Sequence, residues 1–216
     1  MVTVLITAGP TREHLDDVRF LSNGSTGRMG YALARAAAAA GHRALLVSGP
    51  VELADPVGVE TTRIESALEM RDAVMERLPR AEVVIGAAAV SDFRFARRWP
   101  GKPPKSADPL RVELVPNPDI IAEVGAAAGR RIVVGFALES PEDGGPEGVL
   151  ARGRAKLERK RLDAIAVNTT AALGADRSQI VLLFADGGSR EFPPQDKDAT
   201  AAELVAAAVD LWSGAA

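Results

Sequence analysis

Apolar residues fall along this chain in short, nearly unbroken runs, separated by stretches in which alanine and leucine alternate with charge at helical spacing. The runs VTVLITA (2–8), RALLVS (43–48), TTRI (61–64), AEVVIGAAAV (81–90), RIVVGFAL (131–138) and DAIAVN (163–168) predict strands, most of them buried on both faces of a parallel sheet. Between them, RMGYALARAAAAAG (28–41) predicts a helix that stops at Gly41, a common C-terminal cap. SALEMRDAVMERL (66–78) opens with Ser66 and Glu69 at capping-box spacing. NPDIIAEVGAAAG (117–129) opens with Asn117 as candidate N-cap and Pro118 at the first helical position, and a further helix is expected near 147–161. The repeated β-α-β order predicts an α/β protein with a mostly parallel, Rossmann-like sheet carrying helices on both faces. Residues 1–216 read as one domain.

Two segments break the alternation. FRFARRWPGKPPKSADPLRVELVP (93–116) holds five of the 14 prolines, with one strand expected at LRVELV. An excursion this long inside a compact domain is usually functional or forms an interface. QIVLLFADGGSREF (179–192) alternates around ADGGS and predicts a C-terminal β-hairpin. A last helix near 199–213 carries Thr200 and Glu203 as a second capping box.

Composition narrows the chemistry. A 47% hydrophobic content is enough for a full core, yet no apolar run approaches the roughly 18 to 20 residues that span a bilayer. The start shows no basic flank of a signal peptide, so a cytoplasmic protein is expected. With no cysteine there are no disulfides, no thiolate catalysis and no cysteine-ligated zinc. The only histidines, His14 and His42, are too few for most histidine-based metal sites. A net charge of −3 argues against a nucleic-acid-coating surface, so an anionic ligand must be held locally.

The local candidate is RFLSNGSTGRMG (19–30). Gly24, Gly27 and Gly30 precede a helix at a spacing that lets backbone N–H groups approach a phosphate. They lie more than ten residues beyond the strand that should feed such a loop, and the second strand ends LLVSGP, with Ser48 where a dinucleotide site would place an acid. A glycine-rich turn without a ligand remains open. Lysine usage is a second clue: of 21 Arg and five Lys, four lysines form two pairs, Lys102 with Lys105 and Lys156 with Lys160. A compact ammonium suits a triphosphate, and residues 156 and 160 share a helical face, although a solvated face would look the same.

ITAGPTRE (6–13), VRFLSNGSTGRMG (18–30), LVSGP (46–50), AAAVSDFR (87–94), PNPDI (116–120), VGFALE (134–139) and KLERKRLDAIAVN (156–168) together resemble phosphopantothenoylcysteine synthetase, the amide-forming ligase of coenzyme A biosynthesis. The resemblance covers almost the whole chain. It implies that the carboxylate of 4′-phosphopantothenate attacks the α-phosphate of a nucleoside triphosphate, CTP in most bacterial members, with Mg²⁺. Cysteine then takes the acyl group. In many bacteria the family is fused to a flavin-dependent decarboxylase; this sequence opens at Met1 on its first strand, and no flavin is expected in it.

Site residues follow from the resemblance. Asn23 is implied to act on the acyl-phosphate, and Arg19 on the substrate phosphate of the neighbouring subunit of a homodimer. Ala88 is implied to lie beside the pantothenoyl group, and Lys102 to close on the nucleotide phosphates from a flap within 93–116. Gly9, Ser25, Gly27, Gly30, Asp92, Asn117, Pro118, Asp119, Ile120, Phe136, Lys156 and Lys160 are implied to hold the nucleotide. No residue is assigned to metal. The flap reads Lys102-Pro103-Pro104-Lys105 where the family has K-I-K-K, which leaves open which lysine reaches phosphate, and Thr26 stands where a second Ser is usual. Plainer roles exist for several: a turn for Asn23, a cap for Asp92, core packing for Phe136. Two rival functions are a non-catalytic nucleotide-binding module and a short-chain NAD(P) oxidoreductase. The latter needs Tyr-x-x-x-Lys, and the single tyrosine, Tyr31, is followed by Arg35.

Overall fold

The computed structural model describes residues 1–105, 109–140, 144–169 and 177–214. Its main sheet is built from β1 (Thr3–Ala8), β4 (Arg43–Ser48), β5 (Val59–Arg63), β6 (Val83–Gly86), β9 (Ile132–Glu139), β10 (Ala164–Thr169), β11 (Arg177–Phe184) and β12 (Ser189–Asp196). The strand order is β12-β11-β10-β9-β6-β1-β4-β5, parallel from β10 to β5, with the expected hairpin β11–β12 adding two antiparallel strands at one edge. The order reverses at β1: β4 lies on one side of it and β6 on the other. In open α/β sheets the crevice beyond the strand C-termini at such a reversal is where ligands bind.

Alternation along β1 divides the core. Val4, Ile6 and Ala8 face α1 (Arg28–Ala39) and α5 (Lys197–Gly214), whereas Leu5 faces α2 (Ala67–Arg77), α3 (Ile120–Ala126) and α4 (Gly145–Lys160). All four residues are fully buried, and a Leu or Ile so buried contributes about 1.5–3 kcal/mol. Gly30 of α1 lies against Ala8, where an added Cβ would fall 2.4 Å from the Ala8 Cβ. The third glycine of the loop is therefore needed for helix–strand contact. Among the described residues, no helix is long and apolar enough to cross a membrane.

Several boundaries differ from the sequence reading. The run 81–90 is strand only to Gly86; beyond it the chain leaves the sheet. The helix read as opening at Asn117 opens at Ile120, with Asp119 as N-cap accepting a hydrogen bond from the Ala122 N–H at 3.2 Å. Asn117 is drawn off by other partners: its side chain donates to the Ser91 carbonyl at 2.9 Å and its backbone N–H to that of Asp92 at 2.8 Å. The last helix opens two residues early, because Asp196 accepts from the Ala199 N–H at 2.7 Å; Thr200 lies inside it, and Glu203 is taken by Arg190 and Gln195. LRVELV is strand only at β8 (Leu114–Pro116), paired antiparallel with β7 (Phe93–Phe95). A second small hairpin, β2 (Arg12–His14) with β3 (Phe20–Ser22), went unread in the sequence.

Candidate active site

That hairpin accounts for the displaced glycine loop. After β1 the chain makes β2 and β3 before entering α1, and the detour delivers Asn23 over the C-terminal end of the sheet. It is pinned to α2, where the buried Glu13 carboxylate accepts from the Ala67 N–H at 3.0 Å and the Arg12 N–H donates to the Glu65 carbonyl at 2.8 Å. A carboxylate is well placed at a helix N-terminus, whose N–H groups lack partners within the helix.

Opposite lies the segment that follows β6. Its N–H groups are bound to the β1 side: Ala88 to Thr7 Oγ1 at 3.2 Å, Ala89 to the Gly9 carbonyl at 2.9 Å, Ser91 to Thr11 Oγ1 at 3.0 Å. Asn23 closes it from above, its Nδ2 donating to the carbonyls of Ala89 at 3.1 Å and Val90 at 3.0 Å. Since both partners can only accept, they fix which end of the amide faces them. Gly27 is the N-cap of α1 with φ 73, a left-handed conformation that favours glycine, and no side chain caps the helix there. Gly24 meets nothing within 4 Å of where a Cβ would stand, so no protein contact requires a glycine at that position.

Two adjoining chambers open between these segments, of about 520 and 200 Å³. The larger is lined by Asn23, Ser25, Ala88, Asp92, Pro118, Asp119, Ile120, Phe136 and Lys160 among others. Ser25, Gly27, Gly30, Ala88 and Phe136 line the smaller, and the two share Gly24, Ser25, Ala88, Ala89, Phe136 and Leu138. Most of the sequence-predicted residues are thus brought together around a divided cavity. Gly9 lies beneath Gly27 rather than on either lining, and Asn117 supports the wall through Ser91 and Asp92. Lys102 and Lys105 are exposed in the excursion and line neither chamber.

The charged groups are held in pairs. Lys160 Nζ is 2.9 Å from Asp119 Oδ2 at the larger chamber, while Lys156, off both linings, is 2.6 Å from the buried Glu139. Burial works to raise the Glu139 pKa, but hydrogen bonds from Lys156 and Arg152 outweigh it and keep the carboxyl below its ordinary range. Arg19 is clasped by Asp16, Nε to Oδ2 at 2.7 Å. Burial also opposes the charge on Asp16; the N–H groups of Arg19 and Val18 and the Arg19 guanidinium prevail and lower its pKa to about 2. The clasp therefore persists across the neutral range.

Residues unread in the sequence also line the site: Thr7 and Leu138 in the larger chamber, and Arg28, Asn168 and Lys197 in the smaller. Lys197 carried a signal, being the one lysine outside the two pairs. The excursion is tied to the β2–β3 hairpin, with the Trp99 N–H donating to the Leu15 carbonyl at 2.7 Å and Arg98 2.9 Å from Asp17. Phe20, Leu21, Phe93 and Leu114 of the two hairpins are exposed.

Residues 1–211 match the family described as the DNA/pantothenate metabolism flavoprotein C-terminal domain. The chain is similar to the coenzyme A biosynthesis bifunctional protein CoaBC of Vibrio cholerae serotype O1, 43% identical over 208 residues, covering 94% of this chain and 51% of that protein. It is 41% identical over 199 residues to the protein of the same name from Bacillus subtilis strain 168, covering 90% and 48%. The chain spans about half the length of these relatives. It also matches the crystal structure of the C-terminal domain of a CoaBC protein, with a TM-score of 0.81 and 33% identity over 95% of this chain and 93% of that one.

Proposed function

Because the chain belongs to the DNA/pantothenate metabolism flavoprotein C-terminal domain family, we propose that it is a ligase that joins 4′-phosphopantothenate to L-cysteine through an acyl-cytidylate. The observation that carries this reading is the divided cavity: two chambers meet at Ala88 and Ala89, beneath Asn23. A reaction that brings a nucleotide and a second phosphorylated acid to one carbonyl needs such a junction. In the first step a carboxylate oxygen of phosphopantothenate bonds to the α-phosphorus of CTP, and the bond to pyrophosphate breaks. In the second the cysteine nitrogen bonds to the acyl carbon, CMP leaves and the amine loses a proton.

Pro118, Ile120 and Phe136 wall the cytosine and ribose, and Lys160 faces the phosphates. Asn23 turns an N–H from the Ala89 or Val90 carbonyl toward the oxygens of the mixed anhydride, where a preoriented donor favours the developing charge. Lys102 closes from the excursion. No three His, Asp or Glu side chains converge among the described residues, and the Mg²⁺ of this reading enters with the triphosphate as part of the substrate. CTP rather than ATP follows the habit of bacterial members, as does a cytoplasmic setting. The reading is tested by following CMP, pyrophosphate and the amide product with all substrates present.

The same reading makes the protein a homodimer in which Phe20, Leu21, Phe93 and Leu114 are covered by a second copy and Arg19 completes the partner's site. Light scattering at micromolar concentration should give twice the monomer mass, and Phe93→Asp should shift it toward monomer without loss of helical circular dichroism. A monomeric parent protein rules this assembly out.

A further inference from the structure

The loop that bears Asn23 and the segment that Asn23 covers are joined a second time, through Thr11. This residue lies in the turn after β1 and is fully buried. Its Oγ1 accepts from the Ser91 N–H at 3.0 Å, and its carbonyl accepts from Ser22 Oγ at 2.7 Å. Ser22 ends β3 and precedes Asn23, while Ser91 follows Val90, whose carbonyl Asn23 holds at 3.0 Å. Threonine suits the position because its branched Cβ restricts χ1 and so fixes where the oxygen stands. The turn is also braced from another side: Gly49 comes so close that an added Cβ would fall 1.7 Å from the Pro10 carbonyl oxygen. Pro10 in turn forms a parallel bridge with Ala89. Thr11 is therefore a fixed point between the Asn23 loop and the junction of the two chambers.

We propose that Thr11 is a positioning residue for Asn23, setting the distance between the Asn23 amide and the acyl group held at the junction. This rests on the ligase reading, in which an Asn23 N–H leaves the Ala89 or Val90 carbonyl for the oxygens of the mixed anhydride. At that moment the amide gives up part of its own hold on the 88–92 segment. The Ser22–Thr11–Ser91 connection does not pass through the Asn23 side chain, so it persists and keeps the donor within reach of the anhydride. Thr11 lines neither chamber and acts through Asn23 rather than on a ligand. Stabilisation of developing charge depends on donors held in place beforehand, and a misplacement of about 1 Å can lower a rate about a hundred-fold.

The test is a double-mutant cycle on the full chain, read by single-turnover transfer of the acyl group to cysteine and by the KM for CTP. Thr11→Val keeps the shape and removes the hydroxyl. It should slow acyl transfer about ten-fold when Asn23 is present and leave the KM for CTP within about two-fold of the parent. In an Asn23→Ala background the same change should slow transfer by less than about two-fold, because the group it positions is already gone. Thr11→Ser, which keeps the hydroxyl, should stay within about three-fold of the parent. Ser22→Ala breaks the other half of the connection at a half-buried position and should show the same dependence on Asn23, so the outcome stands even if Thr11→Val fails to fold. Equal loss in both backgrounds, loss confined to the KM for CTP, no loss at all, or Thr11→Ser as slow as Thr11→Val each overturns the assignment. A parent protein that forms no CMP overturns the ligase reading itself, so the two failures are distinguishable.

Discussion

Asn23→Asp should lower turnover by about a hundred-fold while leaving the protein folded and able to bind nucleotide. The Asn23 amide donates to two carbonyl oxygens, at 3.1 and 3.0 Å. A carboxylate of the same shape has no hydrogen to offer and would face those oxygens with its own lone pairs, so the loop loses its hold on the 88–92 segment. The same anion would stand against the acyl-phosphate. Losing one charge-assisted hydrogen bond costs about 1.5–3 kcal/mol, equivalent to about ten- to a hundred-fold in rate, and repulsion adds to it. The fold should survive because Asn23 is exposed and the neighbouring Gly24 has open space about it. Circular dichroism and CTP titration check the first part, and steady-state rates the second.

Lys102→Gln should lower turnover by about ten- to a hundred-fold through a different step, the loss of one charged phosphate contact. The residue lies on an exposed excursion tied at its base by Trp99 to Leu15 and Arg98 to Asp17, so removing its charge leaves the body of the protein untouched. Its effect should fall on formation of the acyl-nucleotide, whereas Asn23→Asp acts chiefly after the intermediate has formed. In single-turnover reactions with CTP and phosphopantothenate but no cysteine, Asn23→Asp should therefore retain more intermediate than Lys102→Gln. The reverse order, or unaltered rates in both, means that the chemistry has been assigned to the wrong groups.

The parallel sheet was legible in the sequence because buried strands leave near-continuous apolar runs, and β1, β4, β9 and β10 lie within a residue or two of where those runs predict them. The C-terminal hairpin was legible too, from the turn ADGGS between alternating runs, but the two small hairpins were not. Strands β2, β3, β7 and β8 have three residues each, too few for a period, and the first pair is anchored by a contact distant in sequence, Glu13 with Ala67. Capping was legible at Ser66, where the local bond forms, and misread at Asn117, because the carbonyl of Ser91 competes for its side chain across 26 positions. The site residues other than Lys102 came from seven ordered motifs, and most of them line the two chambers. Thr7, Leu138 and Asn168 have no local signature and come together only when the strands align at the β1 reversal. The pairing of Lys156 with Glu139 and of Lys160 with Asp119 likewise depends on where α4 packs.

The most direct test is a quantitative reaction of the purified chain with MgCTP, 4′-phosphopantothenate and L-cysteine, in which CMP, pyrophosphate and the amide are each measured, with ATP run in parallel. The ligase account predicts the three products in equal amounts from CTP, no amide when cysteine is omitted, and pyrophosphate still released in that omission to the extent of one acyl-cytidylate per site. Absence of CMP with CTP, together with no AMP from ATP, contradicts it.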